Sequence, residues 1–208
     1  MTTRSYGQYC GLARALDIVG GRWSLLIVRE LLVGPARYRE LLAGLPGIAT
    51  NLLAERLRDL EEAGVVQRAL DTDSNGVVYA LTPWGSELRG AIDALVNWST
   101  PLMVSGPRDD SFQAHWLVLA LQALLRGKRS EVPTTVGVQV DSTVVTVYVD
   151  ETGPWVTLDG DRHVETVFRA EPAVVLGLAA GALTVEQAIA AGVVCGDRNQ
   201  LAAALGPS

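Results

Sequence analysis

A chain of 208 residues with 49% hydrophobic and 19% charged side chains has apolar material for one large core or two small ones. That excludes disorder as its main state. The formal net charge of −6 argues, on bulk electrostatics, against nucleic acid as a partner, since phosphate is bound by cations. The charge is uneven, however. Residues 1–105 carry ten Lys and Arg against eleven Asp and Glu, and the remainder seven against twelve, so the first half is close to neutral. Two cysteines (Cys10, Cys195) and two histidines (His115, His163) are too few and too scattered for a disulfide framework or a zinc site. No metal and no cofactor are expected. No secretory segment opens the chain, and no apolar stretch reaches the roughly 20 residues of a membrane span. The expectation is a cytoplasmic protein without membrane contact.

In chain order, Leu12, Leu16 and Val19 recur at helical spacing up to Gly20-Gly21, and Trp23, Leu26, Ile27 and Leu31 up to Gly34-Pro35. A short helix is predicted over Tyr38–Ala43. Another runs over Thr50–Ala63, with Leu53, Leu57 and Leu60 on one face, Thr50 as N-cap and Gly64 as its stop. Val65–Leu70 and Val77–Leu81 are β-rich runs around Asn75-Gly76, a hairpin signal. Thr82-Pro83 then opens one further helix carrying Leu88, Ile92, Leu95 and Val96 to Trp98. Four helices, a hairpin and a helix suit a winged helix-turn-helix; an unrelated small α+β domain has the same pattern.

Pro101, Gly106 and Pro107 place a linker over residues 100–110, dividing the chain into 1–105 and 106–208. Beyond it, Ser111 is expected to cap a buried helix from Phe112 to Arg126, with Arg126, Lys128 and Arg129 facing its C-terminal dipole. Four strand-like runs follow: Thr134–Val140, Thr143–Val149, Trp155–Leu158 and His163–Arg169. Helices are then predicted from Pro172, from the Thr184/Gln187 capping box and from Asp197 with Gln200. The fold class is therefore α+β: a winged helix-turn-helix followed by a smaller domain with an antiparallel sheet covered by helices.

The run from Cys10 through Gly20-Gly21-Arg22-Trp23 to Leu31 resembles the opening of the HxlR family of winged-helix regulators. So do Gly34-Pro35, Arg37-Tyr38-Arg39-Glu40-Leu41, Leu45-Pro46-Gly47-Ile48, Leu52 to Val66 and Tyr79-Ala80-Leu81-Thr82. The resemblance implies a bacterial homodimer with contacts through its first and last helices, binding palindromic double-stranded DNA, with repression as the expected outcome. One stretch departs from the family: the wing reads Asp71-Thr72-Asp73-Ser74-Asn75-Gly76, whereas family wings often carry basic residues and proline. Acidic groups there would be repelled by phosphate. The second half is more loosely similar to the sterol-carrier-protein-like fold, through Val174 to Gly181, Leu183 to Ala188 and Gly192 to Asp197. That implies a small hydrophobic ligand held between sheet and helices.

With Leu53, Leu57 and Leu60 inward, Asn51, Ala54, Glu55 and Arg58 point outward at about 100° per residue. Asn to adenine and Arg to guanine are favoured pairings, so Asn51 and Arg58 are the candidate base readers. Arg56, Arg37 and Arg39 are candidates for phosphate, and Tyr38, Thr50 and the wing-tip Asn75 complete the expected DNA contacts. The competing reading is a solvated helix face with Glu–Arg pairs through Glu55 and Asp59. Cys10 sits where some HxlR-like regulators place a redox sensor, with Arg14 one turn away to favour thiolate; alternatively it is a small packing residue. Trp116, Tyr148, Trp155 and Phe168, with His115, are candidates to line an apolar pocket, or else they pack the core. No catalytic motif is present, so no enzyme is expected. The alternative function is a lipid or metabolite carrier whose winged helix is a dimerisation or protein-interaction module.

Overall fold

The computed structural model describes residues 5–71, 76–103, 106, 109–158 and 164–206. Tertiary contacts divide the chain into two units, Met1–Ile92 and Asp93–Ser208, a division upstream of the expected 105/106 boundary. It falls inside a helix. Pro101 does not end that helix, which continues to Met103 into the stretch expected as a linker. One proline late in a helix forfeits a single N–H bond, and Thr100 Oγ1 donates to Val96 O at 3.0 Å just before it.

In the first unit, α1 (Gly11–Val19), α2 (Ser24–Val33), α3 (Tyr38–Gly44) and α4 (Thr50–Glu62) precede a hairpin of β1 (Val66–Leu70) and β2 (Val77–Leu81). The strands pair antiparallel, from Val66 opposite Leu81 to Leu70 opposite Val77. Leu53, Leu57 and Leu60 of α4 are buried with Ile27, Val28 and Leu31 of α2 and Leu41 of α3, as the 3.6-residue period requires. Two details differ from expectation. Trp23 is the left-handed residue before α2 (φ 80°) rather than part of its stripe. Thr50 is the first residue of α4, and Ala49 holds the cap position without a side-chain bond.

The single helix expected after Thr82 is two. Thr82 caps α5 (Pro83–Ser86), its hydroxyl accepting from Gly85 N at 3.0 Å, and α6 (Arg89–Met103) restarts beyond Leu88. The break has a packing cause. Gly85 lies against the Val65 carbonyl, where a Cβ would overlap the oxygen, and Thr82 N donates to the same carbonyl at 3.0 Å. The helix start is pressed onto the chain entering β1, and the next bonds, Glu87 N to Trp84 O and Leu88 N to Gly85 O, are of the tighter three-residue kind.

In the second unit a 3₁₀ turn (Ala114–Trp116) leads into α7 (Leu117–Leu124). The helix is shorter than expected, and Gln113 rather than Ser111 precedes the turn. Then come β3 (Thr134–Val140), β4 (Thr143–Val149), β5 (Pro154–Thr157), β6 (Val167–Arg169), α8 (Pro172–Ala179), α9 (Val185–Ala191), β7 (Val193–Cys195) and α10 (Arg198–Leu205). The sheet order is β5-β4-β3-β6-β7. Residues 159–163, which include the expected turn and the start of the fourth run at His163, lie outside the described residues.

The sheet is mixed, not purely antiparallel: β6 runs parallel to β3, Val138 opposite Phe168, and β7 adds a strand the sequence reading lacked. Alternation sends Val136, Val138, Val140, Val145, Val147 and Val149 to one face, where they form a continuous core with Leu117, Leu121, Phe168, Leu178 and Leu201. Lys128 does not serve α7. Its Nζ donates to Ala202 O and Gly206 O, placing a cation at the C-terminus of α10. The Thr184/Gln187 capping box is present, whereas Gln200 accepts from Thr166 Oγ1 at 2.7 Å instead of closing a box with Asp197.

Candidate nucleic-acid interface

The outward face of α4 is built as its period dictates. Asn51, Ala54 and Arg58 are exposed while Leu53 and Leu57 are buried. Among the described residues Arg58 and Arg39 make no ion pair. Tyr38 at the start of α3 donates its hydroxyl to Thr50 O at 2.6 Å, tying the N-termini of α3 and α4 together. Its hydroxyl proton is committed to protein, and Thr50 is exposed. The backbone N–H of Arg37 is held by Glu40 Oε2 at 2.6 Å, which orients the chain entering α3.

Two of the expected phosphate ligands are engaged within the protein. Arg56 is half-buried, its guanidinium paired with Asp59 and, at 3.1 Å, with Glu55. This is the Glu–Arg pairing of a solvated helix face, and it applies to Arg56 but not to Arg58. Arg37 Nη2 contacts Asp71 Oδ2 at 2.7 Å. The pair exists because Ala36 bridges Tyr79 of β2 through two backbone hydrogen bonds, of 2.9 and 2.8 Å. That bridge draws the base of the hairpin against the approach to α3, and the Asp71 hydrogen bond favours the charged Arg37.

Arg68 on β1 was not singled out from sequence. It is exposed, lies 2.8 Å from Glu61 and sits over the Tyr79 ring at 5.6 Å. Period-2 alternation would put Arg68 on the face of the buried Val66, so no local pattern marked it as exposed. Asn75 lies outside the described residues, so its place at the wing tip remains a sequence expectation.

Cys10 precedes α1 and is exposed. Backbone N–H groups of Ala13 and Leu12 hold its thiol below the ordinary range, as expected of a group facing the unpaired amides of a helix start. Arg14, expected to supply that effect, lies 3.9 Å from Asp17 instead.

In the second unit the five candidate ligand residues separate. Phe168 is fully buried in the core, and His115 and Trp116 occupy the 3₁₀ turn. Tyr148 and Trp155 stand opposite one another on β4 and β5 and line a pocket of about 360 Å³.

Residues 18–105 match the family described as HxlR-like helix-turn-helix. The HTH-type transcriptional regulator YvaP of Bacillus subtilis is 38% identical over 88 residues, 42% of this chain and 82% of YvaP. YodB of the same organism is 35% identical over 86 residues, 41% of this chain and 77% of YodB. The solved reduced form of YodB is 31% identical, with a TM-score of 0.41, covering 48% of this chain and 99% of that one. The chain belongs to the HxlR-like helix-turn-helix family, whose matched relatives are transcription regulators, and it is a DNA-binding regulator of that class. Among the described residues no helix is long and apolar enough to cross a membrane.

Proposed function

We propose that the protein is a homodimeric repressor reading a palindromic operator through α4, with a sterol-carrier-like second unit whose small-molecule occupant changes its affinity for DNA. The observation that carries the reading is the open polar face of α4. Asn51 and Arg58 are exposed, and Arg58 has no ion-pair partner among the described residues. A winged helix used only for protein interaction would favour an apolar face there, which counts against the carrier alternative. Dimerisation is supported separately on each helix expected to mediate it. Leu12 and Leu16 of α1 are 69% and 37% exposed, and Trp98 and Leu102 of α6 are 76% and 71% exposed, large apolar side chains of the kind that mark interfaces.

Footprinting on the protein's own upstream region tests the reading. Two protected half-sites about one helical turn apart are expected. A single asymmetric footprint from a monomer would overturn the dimeric operator, and full occupancy that raises transcription would overturn repression.

A second reading attaches to Cys10, whose exposure and lowered thiol pKa favour reaction with an oxidant. Oxidation at Cys10 then alters operator affinity, and Cys10→Ser abolishes the response. Equal oxidant sensitivity in wild type and Cys10→Ser would rule it out.

A further inference from the structure

The pocket beside β5 has a chemistry unlike that of the domain around it. Residues 106–208 carry seven Lys and Arg against twelve Asp and Glu, yet three of those cations, Arg126, Lys128 and Arg129, fall within four positions. Lys128 turns inward to the end of α10, and the two arginines remain at the pocket. Among the described residues neither forms an ion pair. Arg129 is fixed in place: Nη1 donates to Arg126 O at 2.9 Å and Lys128 O at 2.7 Å, and its guanidinium lies flush against Gly153, where a Cβ would crowd it.

Among the described residues the pocket's acid makes no ion pair with either arginine. Asp150 Oδ1 is occupied by Thr152 N and Oγ1, both at 2.7 Å, and by Gly153 N at 3.2 Å. These bonds close the β4–β5 turn and keep Asp150 charged, so the pocket holds two guanidinium groups against one carboxylate. The wall is rigid as well. Gln122 of α7 brackets the outer edge of β5, Nε2 donating to Pro154 O at 2.6 Å and Oε1 accepting from Val156 N at 3.0 Å. That leaves the aromatic pair. Tyr148 and Trp155 are directly opposed in the β4–β5 register, on the sheet face away from Val147 and Val156, and Trp155 is 49% exposed.

We infer that this pocket is a binding site for a planar aromatic carboxylate, its carboxylate received by Arg126 and Arg129 and its ring packed on Tyr148 and Trp155. A guanidinium presents the planar donor fork that a carboxylate matches, and aromatic side chains give a flat ring its contact area. The volume of about 360 Å³ is at the small end of ligand pockets, which run from about 300 to 1,000 Å³. The assignment rests on reading the second unit as an effector module, and it replaces the apolar ligand of that reading with an anionic one.

The test is calorimetric titration of the full-length protein with 2-naphthoate, its uncharged amide 2-naphthamide, and inorganic phosphate. Wild type is expected to bind naphthoate well ahead of the other two, and Arg126→Gln to weaken it about tenfold, as loss of a charge-assisted contact implies. Trp155→Leu weakens naphthoate while leaving the weak response to phosphate as it was. Arg126→Gln sits on an exposed side chain, and an unchanged urea midpoint shows the variant folded. Equal binding of acid and amide, phosphate binding as tight as naphthoate, no binding at millimolar ligand, or an unaffected folded Arg126→Gln would each overturn the site. Naphthoate binding that depends on Arg126 yet leaves operator affinity unchanged upholds the site and overturns only the effector reading.

Discussion

Arg37 Nη2 lies 2.7 Å from Asp71 Oδ2, so a candidate phosphate ligand is held by a carboxylate at the base of the wing. An exposed ion pair of this kind contributes little to stability, because solvent screens it. Its larger effect is competition, since the guanidinium cannot serve Asp71 and a phosphate at full strength together. Asp71→Asn is expected to raise DNA affinity several-fold on operator and non-operator duplexes alike. Arg37→Ala is expected to lower it and to reduce the salt slope by about 1. Anisotropy titrations across a salt series check both. An unchanged affinity in Asp71→Asn would show that Arg37 makes no phosphate contact.

The exposed positions of α4 should behave differently. Asn51→Ala and Arg58→Ala are each expected to cost about 1–3 kcal/mol of discrimination between operator and mismatched duplex while changing non-specific binding far less. Competition binding against scrambled DNA measures this. A uniform loss on all sequences would reassign these side chains to the phosphate backbone.

Gly85→Ala addresses the fold instead of the surface. The added methyl meets the Val65 carbonyl, backbone that cannot yield as a flexible side chain would. A loss of about 1–3 kcal/mol is expected, typical of overpacking, together with a lower urea midpoint. A stability equal to wild type would mean that the α5 start can move away from β1.

Asp150 provides a pH test. The Thr152 hydroxyl, with the N–H groups of Thr152 and Gly153, holds its carboxyl below the usual carboxylate range. A group whose folded pKa is depressed stabilises the fold above its unfolded pKa, and that contribution disappears as pH falls through the folded value. Asp150→Asn is therefore expected to be less stable than wild type at neutral pH, with the gap closing in acid. Urea midpoints from pH 7 to pH 3 measure it, and a gap that widened on acidification would contradict the assignment.

Local pattern carried much of this protein. The α4 stripe of Leu53, Leu57 and Leu60 and the alternation from Val136 to Val149 each state a period that only one local structure satisfies, and both elements are observed. The exposed face bearing Asn51 and Arg58 follows from the same arithmetic. Features that depend on distant partners were not legible. The parallel pairing of β3 with β6 and the addition of β7 join segments far apart in the chain. No local period records which strands become neighbours, because that is decided by how the whole apolar face is buried.

The same limit governed the charges. Sequence alone determined that Arg37, Arg56 and Arg58 sit on or beside the helix-turn-helix; tertiary structure decided which are occupied. Arg56 turns to Asp59 and Glu55, and Arg37 is taken by Asp71 across the Ala36–Tyr79 bridge. Arg126 and Arg129, read from sequence as cations serving a helix end, emerged at a pocket because β5 folds back beside α7. Helix and strand periods are written within a few residues, whereas the partner of a charge is set by the few ångströms across which Coulomb and hydrogen-bond energies act. Only the assembled fold fixes those distances.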